Sequence, residues 1–404
     1  MLTNQQIQLI EATVPVLKAH GVDLTTHFYR RMLSGNPELR NIFNAAHQSR
    51  GEQQRALAGA VLAFAENIRT PEKLAAAVRH IAVKHCTIGI RSEQYAIVGR
   101  HLLASIKEVL GDAATPELLD AWAAAYGMLA QILADAEQGI YDEQAKAEGG
   151  WTGWRPFTCL ERREESQDAV SFTLMPADGG ELPQWKPGQF VSVRVFVPSL
   201  GAMQPRQYSI CEAAGNRRLR ICVKRVDESK DAPAGRVSQV LHQSLKVGDM
   251  IEVSAPMGDF VLDPHGKRPA VFIAAGIGIT PIAAMLEAQA SENPLRETTF
   301  VYSTQNSKRF PLKADVERAL AGLKNARRSL FFTQPLPEDR LGSDYDAAGR
   351  LDAQGVRNLL VDQAEYWICG PSCFIDMTAS ALRACGVPAD RIHFEAFTTG
   401  VQTA

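Results

Sequence analysis

The chain has 404 residues, 46% of them hydrophobic, and 43 Lys and Arg nearly balance 45 Asp and Glu. This length accommodates two or three domains that each bury a core, and the charge balance argues against a nucleic-acid-binding protein. No apolar stretch is long enough for a transmembrane helix, and the first residues carry no secretory signal. Seven scattered cysteines without a Cys-x-x-Cys pair indicate reduced thiols, so we expect a cytoplasmic protein without a zinc site.

The first third of the chain is predicted to be helical. Residues 1–147 are rich in Ala, Leu, Gln and Glu and show little strand alternation. Three positions, Asn36, Thr70 and Thr115, each place a capping side chain before a proline and an acid, which is typical of a helix start. Apolar residues between Leu57 and Ile68 follow one helix face. Six to eight helices would fill this all-α domain.

The pattern changes at a linker, Glu148–Trp154, after which short strands separated by turn residues follow one another. Several short strands at this spacing predict a small antiparallel β-barrel over residues 151–264. The strands are predicted at 169–174, 189–195, 219–224 and 250–253.

The last part of the chain, residues 268–404, alternates strands with helices. This order predicts an α/β domain, a parallel sheet with helices on both faces. Strands are expected at 271–275, 298–302, 329–332, 365–369 and 391–395, and helices at 280–291, 311–322, 352–361 and 371–385.

Two glycine turns in the α/β part are candidates for binding a dinucleotide phosphate. Gly276-Ile277-Gly278-Ile279-Thr280-Pro281 follows a buried strand and opens a helix, whose amides would point at an anion. Cys369-Gly370-Pro371 follows a second strand and could lie beside the first turn. One such turn alone is as readily a structural turn, but the two together are far more specific.

The barrel carries a second set of candidate binding residues. In Arg206-Gln207-Tyr208-Ser209 an arginine can neutralise a pyrophosphate, a tyrosine can flank a flavin ring and a serine can bond its edge. Gly235-Arg236-Val237-Ser238 offers amides for the same pyrophosphate. Taken singly, each segment could equally be an exposed strand end or a helix cap.

With these four motifs in this order, residues 151–404 resemble the ferredoxin–NADP reductase family. The resemblance implies FAD on the barrel and NADH or NADPH on the parallel sheet. Phe190 stands where the family usually has tyrosine, so one flavin hydrogen bond would be lost, and Ala275 replaces a frequent glycine. The residues implied to bind FAD are Phe190, Arg206, Gln207, Tyr208, Ser209, Gly235, Val237 and Ser238. Those implied for the coenzyme are Ala275, Gly276, Ile277, Gly278, Ile279, Thr280, Pro281, Cys369, Gly370 and Pro371, with Glu395, Ala396, Phe397, Thr398 and Thr399 beside the flavin ring.

A helical domain joined to a flavin reductase suggests a haem as the electron acceptor, because a flavin takes up a hydride and can release electrons singly. His85, near the end of a helix, is the candidate iron ligand, although a lone histidine is more often a surface or core residue. Tyr95 and Glu137 could form a relay to its other ring nitrogen and keep the imidazole electron-rich, which favours oxygen activation over storage.

On the opposite side of such a haem, Tyr29 and Gln53 could donate hydrogen bonds to bound oxygen. Leu57, one helical turn beyond Gln53, could press on the ligand, and Phe43 could contact the haem edge. Each of these residues could instead be ordinary core or surface, and only the joint pattern raises the probability of a site.

This joint pattern resembles the globin domain of flavohaemoglobins, and the resemblance covers essentially the whole chain. It implies haem b held by His85 and nitric oxide dioxygenation: electrons of NAD(P)H pass through FAD to haem, where O2 oxidises nitric oxide to nitrate. The partners would then be two small gases and NAD(P)H, and we expect a monomer. Two alternatives remain: a globin-class gas carrier or sensor with haem reductase activity, and a helical docking module without haem. The choice between NADH and NADPH stays open.

Overall fold

The computed structural model describes residues 2–43, 48, 51–215, 217–228 and 233–397. Within these residues the N-terminal part contains α-helices and short 3₁₀ helices and no strand. The α-helices are α1 (Asn4–Gly35), α2 (Glu52–Glu66), α3 (Ala75–Ile88), α4 (Glu93–Leu110) and α5 (Pro116–Lys146).

Of the three predicted helix starts, the one at Thr115 is capped as expected, because its hydroxyl accepts from the Leu118 amide at 3.3 Å. The other two open 3₁₀ helices, Pro37–Asn41 and Pro71–Leu74, without a side-chain cap. The Asn36 side chain is occupied elsewhere, since its amide donates to Glu38 and its oxygen bonds the His101 ring. These two predictions of capped α-helix starts were therefore wrong.

Helices α2 and α3 pack against different neighbours in the helical part. Helix α2 packs along α1, whereas α3 packs along α5, and no extended interface joins α2 to α3 in the described part of the chain. The core on the α1 side is one hydrophobic cluster that includes Phe28, Tyr29 and Leu102. Helix α3 contributes no residue to this cluster in the described part of the chain.

The middle part forms the predicted antiparallel barrel. Its six strands lie in the order β4-β3-β6-β1-β2-β5. A bridge between Ile210 and Ile221 brings the end of β4 against β5 and closes the sheet on itself. Helix α6 (Arg236–Ser244) packs on β3 and β5. The strands are β1 (Arg155–Ser166), β2 (Ala169–Pro176), β3 (Phe190–Val197), β4 (Ala202–Ser209), β5 (Leu219–Lys224) and β6 (Met250–Val253).

The C-terminal part is the predicted parallel sheet, with strands in the order β10-β9-β8-β7-β11-β12. The chain moves outward from β7 in one direction, then returns to place β11 on the other side of β7, so the strand order reverses between these two strands. Open sheets of this kind bind ligands at that reversal. The strands are β7 (Ala270–Ala275), β8 (Thr298–Thr304), β9 (Ala326–Phe332), β10 (Ala347–Ala348), β11 (Glu365–Gly370) and β12 (Ile392–Ala396), and the helices α7 (Ile279–Glu292), α8 (Lys313–Gly322), α9 (Ala353–Asn358) and α10 (Ser372–Ala384).

The connection between the helical part and the barrel is closely packed. At Gly150 a Cβ atom would lie 2.0 Å from the Gln144 carbonyl oxygen, so only glycine fits there. The Trp154 ring lies against Gly89 at the end of α3 and stacks under the Arg194 guanidinium. These contacts indicate that the segment predicted as a linker fixes the barrel against α3. Among the described residues, no helix has both the length and the apolar character needed to cross a bilayer.

Candidate functional site

The predicted iron ligand, His85, lies at the centre of a hydrogen-bonded group drawn from three helices. Its Nδ1 is 2.7 Å from Glu137 Oε1 on α5 and 3.1 Å from the Tyr95 hydroxyl on α4. The Tyr95 hydroxyl also donates to Glu137 Oε1 at 2.5 Å. Because a carboxylate only accepts hydrogen bonds, His85 Nδ1–H is the donor to Glu137, and Nε2 is the ring nitrogen left to bind a metal. Nε2 has no hydrogen-bond partner in the described chain.

Tyr95 is held as a hydrogen-bond donor within this group. Glu137 is 2% exposed. Burial, and then the hydrogen bond to Glu137, raises the pKa of the Tyr95 phenol, so it remains a donor at every physiological pH. A carboxylate held in this way orients the imidazole and adds electron density to it.

The predicted oxygen-side residues come together in the other half of the helical domain. Tyr29 is 7% exposed, and its ring meets the Phe43 ring edge-on at 5.7 Å. Leu57 packs on the same hydrophobic cluster. Burial raises the pKa of the Tyr29 phenol, and its hydroxyl has no hydrogen-bond partner among the described residues. The Gln53 side-chain oxygen accepts from Gln48 at 2.6 Å, so only its amide remains to donate.

These two groups fit a haem between α2 and α3. One offers an imidazole nitrogen and the other a phenol, both without a hydrogen-bond partner among the described residues. The helices that carry them, α3 and α1, share no extended interface in that part of the chain. A groove of about 440 Å³ lies elsewhere, between α3 and α5, and no predicted site residue lines it. This groove is open to the surface. The candidate haem site is therefore defined by the imidazole of His85 and the phenol of Tyr29 and not by cavity volume.

In the barrel, the residues predicted to hold a flavin leave polar groups without partners. The buried hydroxyl of Ser209, 3% exposed, has no hydrogen bond. Arg206 donates to the adjacent Pro205 carbonyl at 2.6 Å, and burial lowers the pKa of its guanidinium to about 10. Burial also raises the pKa of Tyr208. A buried arginine without a carboxylate and a serine without a partner fit the pyrophosphate and ring edge of FAD.

The second flavin motif forms the start of α6. Gly235 is the N-cap residue, and the Ser238 hydroxyl donates to its carbonyl at 2.9 Å while accepting from the Val226 amide at 3.2 Å. Val237 points into the barrel core with 2% exposure. Ser238 therefore fixes the loop, and the amides of the first turn are the groups left to meet a phosphate.

Two residues predicted to bind flavin contact the helical domain. Gln207 donates from Nε2 to the Thr87 hydroxyl at 3.0 Å, two residues after His85. Phe190, 5% exposed, packs with Met257 against Cys86 and Tyr141. The structure thus gives both residues a role in holding the two domains together.

The two glycine turns of the α/β domain touch each other. A Cβ atom at Gly278 would lie 2.3 Å from the Cys369 carbonyl oxygen, so the backbone after β7 approaches the end of β11 directly. This is the expected adjacency at the strand-order reversal. Ile279 and Thr280 are buried, as is Pro281, so their side chains face the core and only their backbone could meet a coenzyme. Cys369 is buried, and burial raises the pKa of its thiol far above the ordinary range.

The C-terminal residues predicted to lie beside the flavin end the sheet. Glu395 and Ala396 complete β12, and Phe397 follows with its side chain 44% exposed. Glu395 Oε2 is buried without a partner, and burial raises the pKa of this carboxyl to about 7, opposed by the Lys84 ammonium on α3. Thr398 and Thr399 lie outside the described residues.

Sequence reasoning missed the contacts that join the helical domain to β4. The Gln204 amide donates to the Arg40 carbonyl at 2.7 Å, and Asn41 Oδ1 accepts from the Met203 amide at 2.8 Å. Neither the 3₁₀ helix nor β4 carries a motif that pairs them. No signal in a single sequence could have found these contacts.

We expect Arg206→Ala to weaken FAD binding about 10- to 100-fold, because a buried charge-assisted bond to phosphate is lost. The measurement is the flavin absorbance near 450 nm retained per protein after dialysis, followed by FAD titration. The matched control is Arg217→Ala, an arginine of the same barrel whose side chain is 72% exposed. Equal FAD affinity in both variants would contradict a role for Arg206.

Family models match each of the three parts of the chain. A globin model matches residues 26–133, an oxidoreductase FAD-binding domain model residues 156–262, and an oxidoreductase NAD-binding domain model residues 272–380. The chain is thus an oxidoreductase built from a globin and a flavin- and nicotinamide-binding reductase, and haem, FAD and a nicotinamide coenzyme are its cofactors.

Relatives of the whole chain carry one common name. The present chain is 48% identical over 402 residues to the flavohemoprotein of Bordetella pertussis, and the match covers 99% of both chains. A crystal structure of flavohemoglobin from Malassezia yamatoensis, with bound FAD and haem, matches 98% of this chain and 99% of its own at 29% identity and a TM-score of 0.85. The FAD/NAD-binding domain of a nitric oxide dioxygenase from Vibrio cholerae, 30% identical, covers 60% of this chain and 98% of its own, with a TM-score of 0.54. From its sequence, fold and cofactor sites together, the chain belongs to the flavohaemoprotein family.

Proposed function

We propose that this flavohaemoprotein is an NAD(P)H-dependent nitric oxide dioxygenase. The overall reaction consumes two nitric oxide, two O2 and one NAD(P)H, and yields two nitrate, one NAD(P)⁺ and one proton. The similarity of the reductase part to the FAD/NAD-binding domain of a nitric oxide dioxygenase from Vibrio cholerae supports this assignment.

The observation that carries the proposal is the bond from Glu137 to His85. A carrier of oxygen needs only an imidazole, whereas a buried carboxylate 2.7 Å from Nδ1, reinforced by Tyr95, gives that imidazole partial imidazolate character. Electron donation of this kind favours activation of oxygen over its reversible storage.

The remaining residues supply position and selectivity. When bound, haem would supply the iron that binds oxygen, and FAD would supply a hydride acceptor that releases electrons singly. The Tyr29 hydroxyl, which has no hydrogen-bond partner among the described residues, would be a donor that stabilises negative charge on bound oxygen. Leu57 and Phe43, with Ile81 and Leu102, form apolar walls that favour small uncharged gases over ions. Thr87 and Gln207 hold the helix of His85 against the strand that carries the flavin motif.

The test is nitrate production by purified, cofactor-loaded full-length protein supplied with NADH, O2 and nitric oxide. We expect nitrate in proportion to NADH oxidised, and a rate about 10-fold lower in Glu137→Gln, since second-shell partners of metal-bound histidines carry effects of that size. The haem absorption band should remain in Glu137→Gln. The control is Glu108→Gln, an exposed acid of α4 that pairs with Arg31.

A protein that binds oxygen but forms no nitrate above a flavin-free control would be a carrier or sensor. Equal nitrate rates in wild type and Glu137→Gln would remove the structural argument for activation, even if nitrate formed.

We also expect the coenzyme to be NADH in preference to NADPH. In sheets of this kind the end of the second strand, here β8, lies near the adenosine ribose, where an arginine or lysine accommodates the 2′-phosphate of NADPH. Lys308 and Arg309 follow β8, but Arg309 donates to the buried Asp168 at 2.6 Å and Lys308 pairs with Glu338 at 2.8 Å. Neither cation is available to a phosphate without losing its carboxylate.

We therefore expect kcat/KM for NADH to exceed that for NADPH by about tenfold. This is the effect expected when one charge-assisted contact to the 2′-phosphate is missing. Glu338→Gln should release Lys308 and narrow the ratio, measured as the rate of flavin reduction by each coenzyme. Glu317→Gln, which loosens the comparable exposed pair with Lys313 on α8, should leave it unchanged. A preference for NADPH in wild type would overturn this assignment.

A further inference from the structure

A largely buried aspartate, Asp315, joins the α/β domain to the barrel. It lies in the first turn of α8, and its Oδ2 accepts from Arg220 on β5 at 3.0 Å and from Arg163 on β1 at 3.3 Å. Its Oδ1 accepts from Arg318 on the same helix. Burial raises the pKa of the Asp315 carboxyl, but the three guanidinium groups more than offset this effect, so the pKa lies below its ordinary value. Asp315 is therefore charged at physiological pH.

The two arginines of the barrel depend on Asp315 to different degrees. Arg163 has a second carboxylate within the barrel, since it donates two hydrogen bonds to Glu165 at 2.9 and 3.0 Å. Arg220 has Glu212 beside it at 3.9 Å, too far for a hydrogen bond, and its buried Nε has no partner among the described residues. Loss of the Asp315 charge would leave Arg220 largely buried without a hydrogen-bonded carboxylate, which is costly.

The elements that this ion pair joins are neighbours of the two cofactor motifs. Strand β5 is bridged to Ile210, the residue that directly follows the flavin motif at the end of β4. Helix α8 packs along α7, the helix that the first glycine turn opens. Glu287 on α7 itself accepts from the Ala213 amide of the barrel at 2.7 Å. The contacts between α7, α8 and the barrel therefore set how the coenzyme turn faces the flavin motif.

The ion pair borders an apolar contact between the two domains. Cys211, whose amide donates to the Arg220 carbonyl, belongs with Cys222 and with Leu312 of the α/β domain to one buried hydrophobic cluster. Leu312 is the N-cap residue of α8, and its backbone is left-handed at a φ of 58° with the side chain fully buried. A leucine keeps this conformation only where the surrounding packing imposes it. The start of α8, and with it the position of Asp315, is fixed by this packing.

We propose that Asp315 is a positioning residue for hydride transfer: paired with Arg220, it holds the α/β domain against the barrel in the alignment that lets the nicotinamide meet the flavin. In that step a hydride leaves NAD(P)H, giving NAD(P)⁺, and joins FAD, giving FADH⁻. Interfaces between domains of one chain permit relative motion by default, so a buried charge pair gives this one a defined register.

Hydride transfer is sensitive to that register, because a displacement of about 1 Å can slow a reaction about 100-fold. The proposal concerns flavin reduction, which precedes any reaction at the haem. It goes beyond the proposed dioxygenase function and does not rest on it.

The barrel's own cysteines report on the contact without catalytic turnover. Cys211 and Cys222 are buried in the cluster shared with the α/β domain, whereas Cys159 is buried in the core of the barrel. In Asp315→Asn, which removes the charge and keeps the shape, we expect N-ethylmaleimide to modify Cys211 and Cys222 about tenfold faster than in wild type, because the interface opens more often. Mass spectrometry of the labelled peptides measures the rates. Cys159 should stay protected, which distinguishes opening of the interface from unfolding of the barrel.

Stopped-flow reduction of the flavin by NADH tests the consequence in cofactor-loaded, full-length protein. At saturating NADH we expect the rate constant to fall about tenfold in Asp315→Asn, while FAD content and the affinity for NADH change less than about twofold. Asp315→Glu keeps the charge and should recover most of the wild-type rate. The control is Glu317→Gln on the same helix, whose carboxylate pairs only with the partly exposed Lys313 among the described residues and should leave both readouts unchanged.

A double-mutant cycle assigns the effect to the ion pair. If Asp315 acts through Arg220, adding Arg220→Gln to Asp315→Asn should slow flavin reduction no further, whereas fully additive effects would contradict the assignment. Flavin reduction or thiol labelling at the wild-type rate in Asp315→Asn would also overturn the proposal, as would an equal loss of NADH affinity. A wild-type protein that shows all the expected effects yet forms no nitrate would keep this role of Asp315 and lose the dioxygenase assignment.

Discussion

Replacing His85 with alanine is expected to remove the haem absorption band and, with it, nitrate production. His85 is the one side chain of α3 whose imidazole has a carboxylate on Nδ1 and an open Nε2 among the described residues. Loss of a partner to such a histidine already weakens metal binding about 10- to 100-fold, and loss of the ligand itself should exceed that range. Haem content per protein, with the carbon monoxide difference spectrum, measures the effect.

FAD content is the internal control for His85→Ala, because the barrel contributes its own binding residues and should stay loaded. The coenzyme should still reduce that flavin. His20→Ala, at an exposed position of α1, should keep the haem band. A His85→Ala protein with an unchanged band would show either another iron ligand or haem bound outside the assigned site.

The second large effect is expected for Tyr29→Phe. The substitution keeps the ring that meets Phe43 and removes only the buried hydroxyl, which donates to no residue of the described chain. Bound oxygen would lose its phenolic donor, so we expect oxygen to dissociate about 10- to 100-fold faster and nitrate formation to slow. Stopped-flow replacement of oxygen by carbon monoxide measures the dissociation rate.

Tyr141→Phe is the matched control for this experiment. The Tyr141 hydroxyl is also buried, but it donates a hydrogen bond to the Ile90 carbonyl at 2.7 Å and so stabilises the fold. We expect Tyr141→Phe to lower the unfolding temperature and leave oxygen dissociation unaffected. Equal oxygen dissociation rates in wild type and Tyr29→Phe would mean that Tyr29 only packs.

Much of the α/β fold could be predicted because its central strands, β7, β8 and β11, are short, buried on both faces and separated by helices. The helix predicted at 280–291 is Ile279–Glu292, and the strand predicted at 365–369 is Glu365–Gly370. A fully buried parallel strand is a continuous apolar run, which is visible in one sequence.

Two strands of the barrel do not give that signal. Strand β1 is largely half-exposed, contains charged residues and has two register irregularities, so its alternation is broken. Strand β4 contains Pro205 and polar side chains that bond the helical domain. Proline normally argues against a strand, and β4 tolerates it at one end of the strand order.

The candidate site also has residues that could be predicted from the sequence and residues that could not. His85, Tyr95 and Glu137 could be proposed from residue type and family resemblance, and the structure brings them within hydrogen-bonding distance. The positions of Gln207 and Phe190 between two domains could not be foreseen, because their partners, Thr87 and Cys86, are more than 100 residues away. Contacts at that separation depend on the assembled fold.

The bonds between the 3₁₀ helix, α3 and β4 have a consequence for protein engineering. A chimaera that joined another globin to this reductase would keep every cofactor ligand. It would lose the hydrogen-bond partners of Met203, Gln204 and Gln207 in the helical domain. The globin and the reductase of the chimaera would each fold and bind their cofactors, but these hydrogen bonds would no longer fix their relative placement. Introducing the three partner residues into the grafted globin should restore electron transfer between FAD and haem.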